Sequence, residues 1–146
     1  MIDGLTLRPA TAADADMLLA WRNDVETRRQ SKTTEEVSRD GHVAWLDGVL
    51  DDAERILKVA CDDSKPVGSV RADKVAGAWV LSWMVAPEGR GQGYGGRIVQ
   101  MLVDELDGEI RAEVKPGNPA SLKIAERLGM KQSGEADGMI IWTLTK

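Results

Sequence analysis

Apolar and polar positions change period along this chain, and the changes mark its elements. Leu5-Thr6-Leu7-Arg8 alternates and stops at Pro9, which predicts a short strand. Thr11-Ala12-Ala13-Asp14 has the form of a capping box with Asp in place of the usual Glu, and Ala15, Leu18 and Leu19 continue as a helical stripe to about Asn23. Asp24 to Glu36 is charged and poor in apolar residues, so it reads as a loop or irregular segment. His42, Trp45, Leu46 and Val49 share one face of a helix over Asp40 to Leu50. Leu57, Val59 and Cys61 lie on one side of a strand. Asp62 to Pro66 is a turn, and Val67 to Asp73 is the next strand. Trp79, Leu81, Trp83 and Val85 line one face of a central strand.

Beyond a run of glycines, Val99, Leu102, Val103 and Leu106 form a helical stripe that closes at Asp107-Gly108. Ile110 to Lys115 is a strand, and Asn118-Pro119 caps and opens a helix carrying Ile124, Ala125 and Leu128 inward. Gly129 ends it. Met130 to Gly134 and Met139 to Leu144 are the last strands, with a turn at Asp137-Gly138. The order is β-α-α-β-β-β-α-β-α-β-β, a mixed α/β sheet with helices on both faces. Neither a repeat nor a linker interrupts it, so residues 1–146 read as a single domain.

Between the strand ending at Val85 and the helix starting at Gly95 sits Ala86-Pro87-Glu88-Gly89-Arg90-Gly91-Gln92-Gly93-Tyr94-Gly95-Gly96. Glycines allow a tight turn and close backbone approach, and a helix start offers unpaired N–H groups and a positive dipole end. Strand, glycine turn and helix together make a phosphate cradle. The ATPase loop requires Gly-Lys-Ser/Thr, which is missing. A dinucleotide fingerprint would have its third glycine misplaced and would lie too late in the chain.

Arg90-Gly91-Gln92-Gly93-Tyr94-Gly95 resembles the Arg/Gln-x-x-Gly-x-Gly/Ala coenzyme A loop of the GNAT acetyltransferases, and Val85-Ala86-Pro87 is similar to what leads into it. The element order is also that of the GNAT fold. The resemblance covers nearly the whole chain and is strongest from Trp79 to Met130. It implies acetyl-CoA as the acetyl donor, held by Val85, Arg90, Gly91, Gln92, Gly93, Tyr94, Gly95 and Gly96. It also implies that the central strand and the strand at Ile110 splay apart to admit the pantetheine arm. Asn118 and Ser121 match the family's Asn-x-x-Ser, which implies a contact with that arm; Asn118 is equally explained as a helix N-cap. Glu113, five residues before Asn118, matches the base position of ribosomal-protein N-terminal acetyltransferases. A carboxylate serves an ammonium through a water or once its pKa rises from about 4.3. The other reading of Glu113 is a surface carboxylate paired with Arg111 or Lys115. The family's thiolate-protonating tyrosine is replaced by Ala125, and the chain's one tyrosine, Tyr94, is expected to pack or to cover the cofactor.

Leu19-Ala20-Trp21-Arg22-Asn23-Asp24, Arg28, Ser31 and His42-Val43-Ala44-Trp45-Leu46 are similar to the amino-sugar N-acetyltransferases of pseudaminic-acid-type pathways. That resemblance implies a nucleotide-linked amino sugar as acceptor. Arg22 and Arg28 would then meet its diphosphate, Trp45 would stack on a base or sugar, and Trp21 and His42 would line the site. Packing roles for Trp21 and His42 remain open. So do a protein N-terminus, a ribosomal protein, or an antibiotic or polyamine as acceptor, and a coenzyme A-binding module without catalysis.

Composition narrows the classes. Apolar residues make up 42% and charged residues 29%, as in an ordinary soluble domain. A net charge of −5 argues against generic nucleic-acid binding, while Arg90 and Arg97 leave a local basic patch. One cysteine, Cys61, and one histidine rule out a disulfide framework and most zinc sites. Cys61 falls on an apolar strand face and reads as core. Without a leader pattern or an apolar run near about 18 residues, the expectation is a cytoplasmic monomer or homodimer without metal, membrane or nucleic-acid partners.

Overall fold

A computed structural model describes residues 4–146. The elements are β1 (Leu5–Pro9), α1 (Ala15–Arg22), α2 (Val25–Gln30), α3 (Arg39–Leu50), β2 (Arg55–Asp62), β3 (Lys65–Val75) and β4 (Ala78–Val85). They continue as α4 (Tyr94–Val103), β5 (Glu109–Val114), α5 (Pro119–Arg127), β6 (Lys131–Ala136) and β7 (Met139–Thr145). The seven strands form one sheet in the order β1-β2-β3-β4-β5-β7-β6. Among the described residues, only the central β4–β5 pair is parallel. The mixed α/β architecture expected from the sequence is present, with one extra helix.

That helix is α2, within the segment read from sequence as irregular. It is capped by Asp24, whose side chain accepts from the N–H groups of Glu26 and Thr27 at 3.1 and 3.2 Å. It buries no residue, so it has no apolar stripe and leaves no periodic signal. The other departures are small. α4 begins at Tyr94, and the strand expected from Met130 starts one residue later and extends to Ala136.

Strand alternation gives the sheet two faces, each with a core. On one face, α4 and α5 cover Val70, Ala72, Leu81, Ile110, Ala112 and Val114, filling the gap with Ile98, Val99, Leu102 and Ala125. On the other, α1 and α3 set Leu18, Trp21, Leu46 and Val49 against Leu57, Val59, Cys61 and Met84. Cys61 is a core residue, as its pattern implied. Asp14 is buried at the entry to α1. It accepts from the Thr11 N–H at 2.8 Å and pairs with Arg8 at 2.7 Å. Among the described residues, no helix is long and apolar enough to cross a membrane.

Candidate active site

The parallel β4–β5 pairing is short. It joins Trp79 to Ile110, Val80 to Arg111 and Leu81 to Ala112, then stops, although β4 runs on to Val85 and β5 to Val114. The two strands therefore part, leaving main-chain groups along the β5 side of β4 without a ladder partner. Across this opening the Trp83 indole N–H donates to Ser121 Oγ at 3.2 Å. Asn118 sits at the start of α5, where its Oδ1 accepts from the Ser121 N–H at 3.2 Å, so the N-cap role is realised.

At the end of β4 the chain makes a 3-10 turn over Pro87–Gly89 and then the glycine turn. Gly91 and Gly93 have φ of +79° and +80°, the left-handed region that glycine enters without steric cost. Gly93 is the N-cap of α4 and brings no side chain to cap it, so the first N–H groups of the helix remain available. Gly95 serves packing: a Cβ there would lie 3.0 Å from Ile124 Cδ1 and 3.5 Å from Val85 Cγ2. A groove of about 240 Å³ runs from Gly93 and Gly96 along the α4–α5 seam, flanked by Arg97 and Arg127. A second depression of about 310 Å³ is lined by Gly129, Lys131 and Thr143 to Thr145, none of them from the glycine turn. A turn rich in free amides, a helix start and two flanking guanidiniums suit a diphosphate chain, and the parted strands suit a slender arm.

Other candidates fall less simply. Gln92 donates to the Glu88 carbonyl at 3.3 Å. Tyr94 is buried and its hydroxyl donates to Asp62 at 2.6 Å, so its ring packs inside and only its backbone faces the turn. That bond, burial and the negative charges of Asp62 and Asp63 raise its pKa. Arg90 points away from the turn, to Asp24 and to Thr27 Oγ1. The guanidinium holds the Asp24 carboxyl below the usual carboxylate range. Lys115 Nζ reaches the Arg29 carbonyl at 2.7 Å. These contacts stitch α2 to both the glycine turn and the exit of β5.

Glu113 is half-buried on the sheet face opposite Ala112 and Val114. Arg111 pairs with Glu109, and Lys115 with the Arg29 carbonyl, so neither is its partner. Ala125, where the resemblance implied that other members carry a tyrosine, is 0% exposed and supplies no hydroxyl.

Among the acceptor candidates, Trp21 is corrected to a core residue, 6% exposed against Leu46 and Leu57, because its helix face points at the sheet. His42 is 4% exposed and its ring lies 5.4 Å from that of Trp45. Burial, with a smaller push from Arg22, lowers the His42 pKa from its ordinary value of 6.5, against a backbone hydrogen bond at Ala15 that raises it. The Trp45 ring, expected to stack on a base or sugar, already has two guanidiniums beside it. Arg71 stands 5.1 Å and Arg55 6.0 Å from its centroid, both in cation–π range. Arg22 donates to the Thr33 carbonyl at 2.9 Å, and Arg28 faces Glu36 at 3.4 Å. Sequence reasoning passed over Arg71 and Arg127. The pattern held a signal for Arg71 alone: a charged residue in register with the buried alternation of β3.

A family model described as an acetyltransferase (GNAT) domain matches residues 4–131. No curated protein matches the chain in sequence. Several solved structures share its fold. An aminoglycoside acetyltransferase, AAC(6')-Ib, solved with coenzyme A, superposes with a TM-score of 0.84 at 20% identity, over 97% of this chain and 95% of that one. A ribosomal-protein-alanine N-acetyltransferase from Brucella melitensis gives 0.82 at 24% identity, covering 97% and 99%. A spermidine N-acetyltransferase from Vibrio cholerae, with coenzyme A and spermine, gives 0.82 at 18%, covering 96% and 93%.

Proposed function

Since the chain belongs to the GNAT acetyltransferase family, we propose that it is an acetyl-CoA-dependent N-acetyltransferase acting on a primary amine carried by a nucleotide-linked amino sugar. The observation that carries this reading is the opening between β4 and β5, which starts beside the glycine turn and runs past Glu113. Acetyl-CoA supplies the acetyl group as a thioester. The amides around Gly91, Gly93 and the start of α4 bind the diphosphate, with Arg97 and Arg127 alongside. Ser121, held by Trp83, and Asn118 line the path of the arm. The free amides near Val85 offer hydrogen bonds to the carbonyl oxygen as it gains charge.

Glu113 receives the proton that leaves the ammonium, directly or through a water. The freed nitrogen pair forms the C–N bond as the C–S bond breaks, and the nitrogen then gives its second proton to solvent, leaving the neutral amide. The sulfur leaves with its electron pair. With Ala125 in place of a hydroxyl, it departs as thiolate and takes its proton from solvent, which is accessible near neutral pH for a thiol of pKa about 8.5. The test is thiol release from acetyl-CoA across nucleotide-linked amino sugars, aminoglycosides, polyamines and peptides. Turnover is expected on the sugar amines. Coenzyme A binding without turnover on any amine would leave a binding module instead, and turnover on peptides alone would move the acceptor to protein N-termini.

A further inference from the structure

On the sheet face that carries Glu113, positive charge accumulates without enough counter-charge. Arg22 ends α1, Arg28 lies in α2, and Arg71 stands on β3, across from Ser82 of β4. Arg71 and Arg55 share one carboxylate, Asp73, at 2.9 and 3.0 Å. Arg28 has only Glu36, whose side chain is 72% exposed and therefore well screened. Arg22 has a carbonyl and no acid among the described residues. Burial, and the like charges of Arg28 and Arg71, push its pKa down. Among the described residues, three buried nitrogens here find no hydrogen-bond partner: Arg22 Nη1, Arg28 Nε and His42 Nε2. Leaving such groups unpaired is costly, and more so for charged ones. The cluster is not sealed, since Arg28 and Arg71 keep 26% and 28% of their side chains exposed.

We infer that Arg22, Arg28 and Arg71, backed by His42, form an oxyanion-binding pocket for the acceptor, with Arg71 as a specificity-determining residue. Its ligand is a phosphate or carboxylate carried by the same molecule as the reacting amine. The register sets the spacing. Arg71 pairs with Ser82, and Glu113 lies one step past the Leu81–Ala112 pair on the same face. Two strand spacings make roughly 10 Å between the Arg71 and Glu113 backbones, more where the strands part. A phosphorylated or diphosphate-linked amino sugar spans that distance, whereas a compact neutral amine does not engage both ends. Guanidiniums bind such groups through paired N–H donors. The inference rests on the acetyl-transfer reading for the role of the amine, but the anion site stands or falls separately.

The experiment has a binding arm and a turnover arm. Protein saturated with coenzyme A, so that the glycine turn is filled, is melted with and without pyrophosphate. Pyrophosphate should raise the melting temperature, and Arg28→Met and Arg71→Met should abolish the rise. In turnover, glucosamine 6-phosphate is compared with glucosamine, and 6-aminohexanoate with its amide, which separates phosphate from carboxylate. At least one anionic amine should show a KM about tenfold or more below its neutral counterpart, as charge-assisted pairing predicts. Arg71→Met should erase that advantage by raising the KM of the anionic amine to that of its neutral counterpart, and Arg71→Lys, which keeps the charge beside Asp73, should retain part of it. Equal KM values in the unaltered protein, or a preference that survives both Met variants, overturns the proposal. A pyrophosphate effect with no turnover on any amine upholds the pocket and removes the acetyl-transfer reading. No pyrophosphate effect and no turnover removes both.

Discussion

Replacing Gly91 by alanine isolates one physical cost. The residue has φ of +79° and is exposed, and a Cβ built on it meets nothing within 4 Å. The substitution therefore adds no clash and removes no contact. What remains is the cost of holding an L-residue in the left-handed region, about 1–2 kcal/mol. That strain has two outlets. An exposed loop can relax in the free protein, and then stability is nearly unchanged. A bound diphosphate needs the amides to converge as they do now, so the strain returns as weaker binding. The losses in unfolding free energy and in binding free energy should sum to about 1–2 kcal/mol; if all of it falls on binding, affinity drops about five- to thirtyfold. Urea unfolding and titration calorimetry with coenzyme A measure the two parts. Gly91→Asn, which tolerates the left-handed region better, should recover most of the loss. If both variants keep full stability and bind coenzyme A as tightly as the unaltered chain, the turn does not grip phosphates in this conformation.

Other substitutions probe separate parts of the structure. Glu113→Gln should lower kcat by about a hundredfold or more, in the range of general-base catalysis, with the coenzyme A Kd unchanged in calorimetry; an unchanged kcat removes Glu113 as base. Gly48→Ala lies inside α3 with open space around the added Cβ, so it should stabilise the protein by about 1 kcal/mol in urea unfolding. Because burial lowers the His42 pKa below 6.5, the folded state prefers the neutral ring. Stability is then full above the unfolded-state value and declines as pH falls through the window beneath it, where the unfolded chain binds the extra proton. His42→Gln should flatten stability between about pH 7 and 5, and an unaltered slope would mean the ring is protonated in place. Arg8→Met should cost about 2 kcal/mol by leaving the buried Asp14 carboxylate without its partner, a figure kept low because Arg8 itself is 41% exposed.

Local pattern was enough for the strands, for the stripe of α4, and for the glycine turn between β4 and α4. Each of these is specified by residues within a few positions of one another: alternation, a helical period, or a run of glycines. The N-cap at Asn118 and the core placement of Cys61 were legible for the same reason. Trp21 and Trp45 were not, since an aromatic residue on a helix reads alike whether it meets the sheet, a guanidinium or a ligand. Tyr94 sits inside the glycine motif, yet its hydroxyl is taken by Asp62, 32 residues away in the chain.

The sequence by itself determined the order of the strands and of every helix but α2, and the tight glycine turn between β4 and α4. Tertiary structure alone decided what surrounds the opening between β4 and β5. α2 has no periodic signature, but Arg90 and Lys115, 66 and 86 residues from their partners in and beside it, fasten it across the site. Arg71 came within reach of Trp45 and of the charge on Arg22 only once α1 and α3 were laid against the sheet. Periodicity records which side of an element is buried, whereas such pairings depend on which elements face each other, and that is fixed only once the sheet and its covering helices assemble.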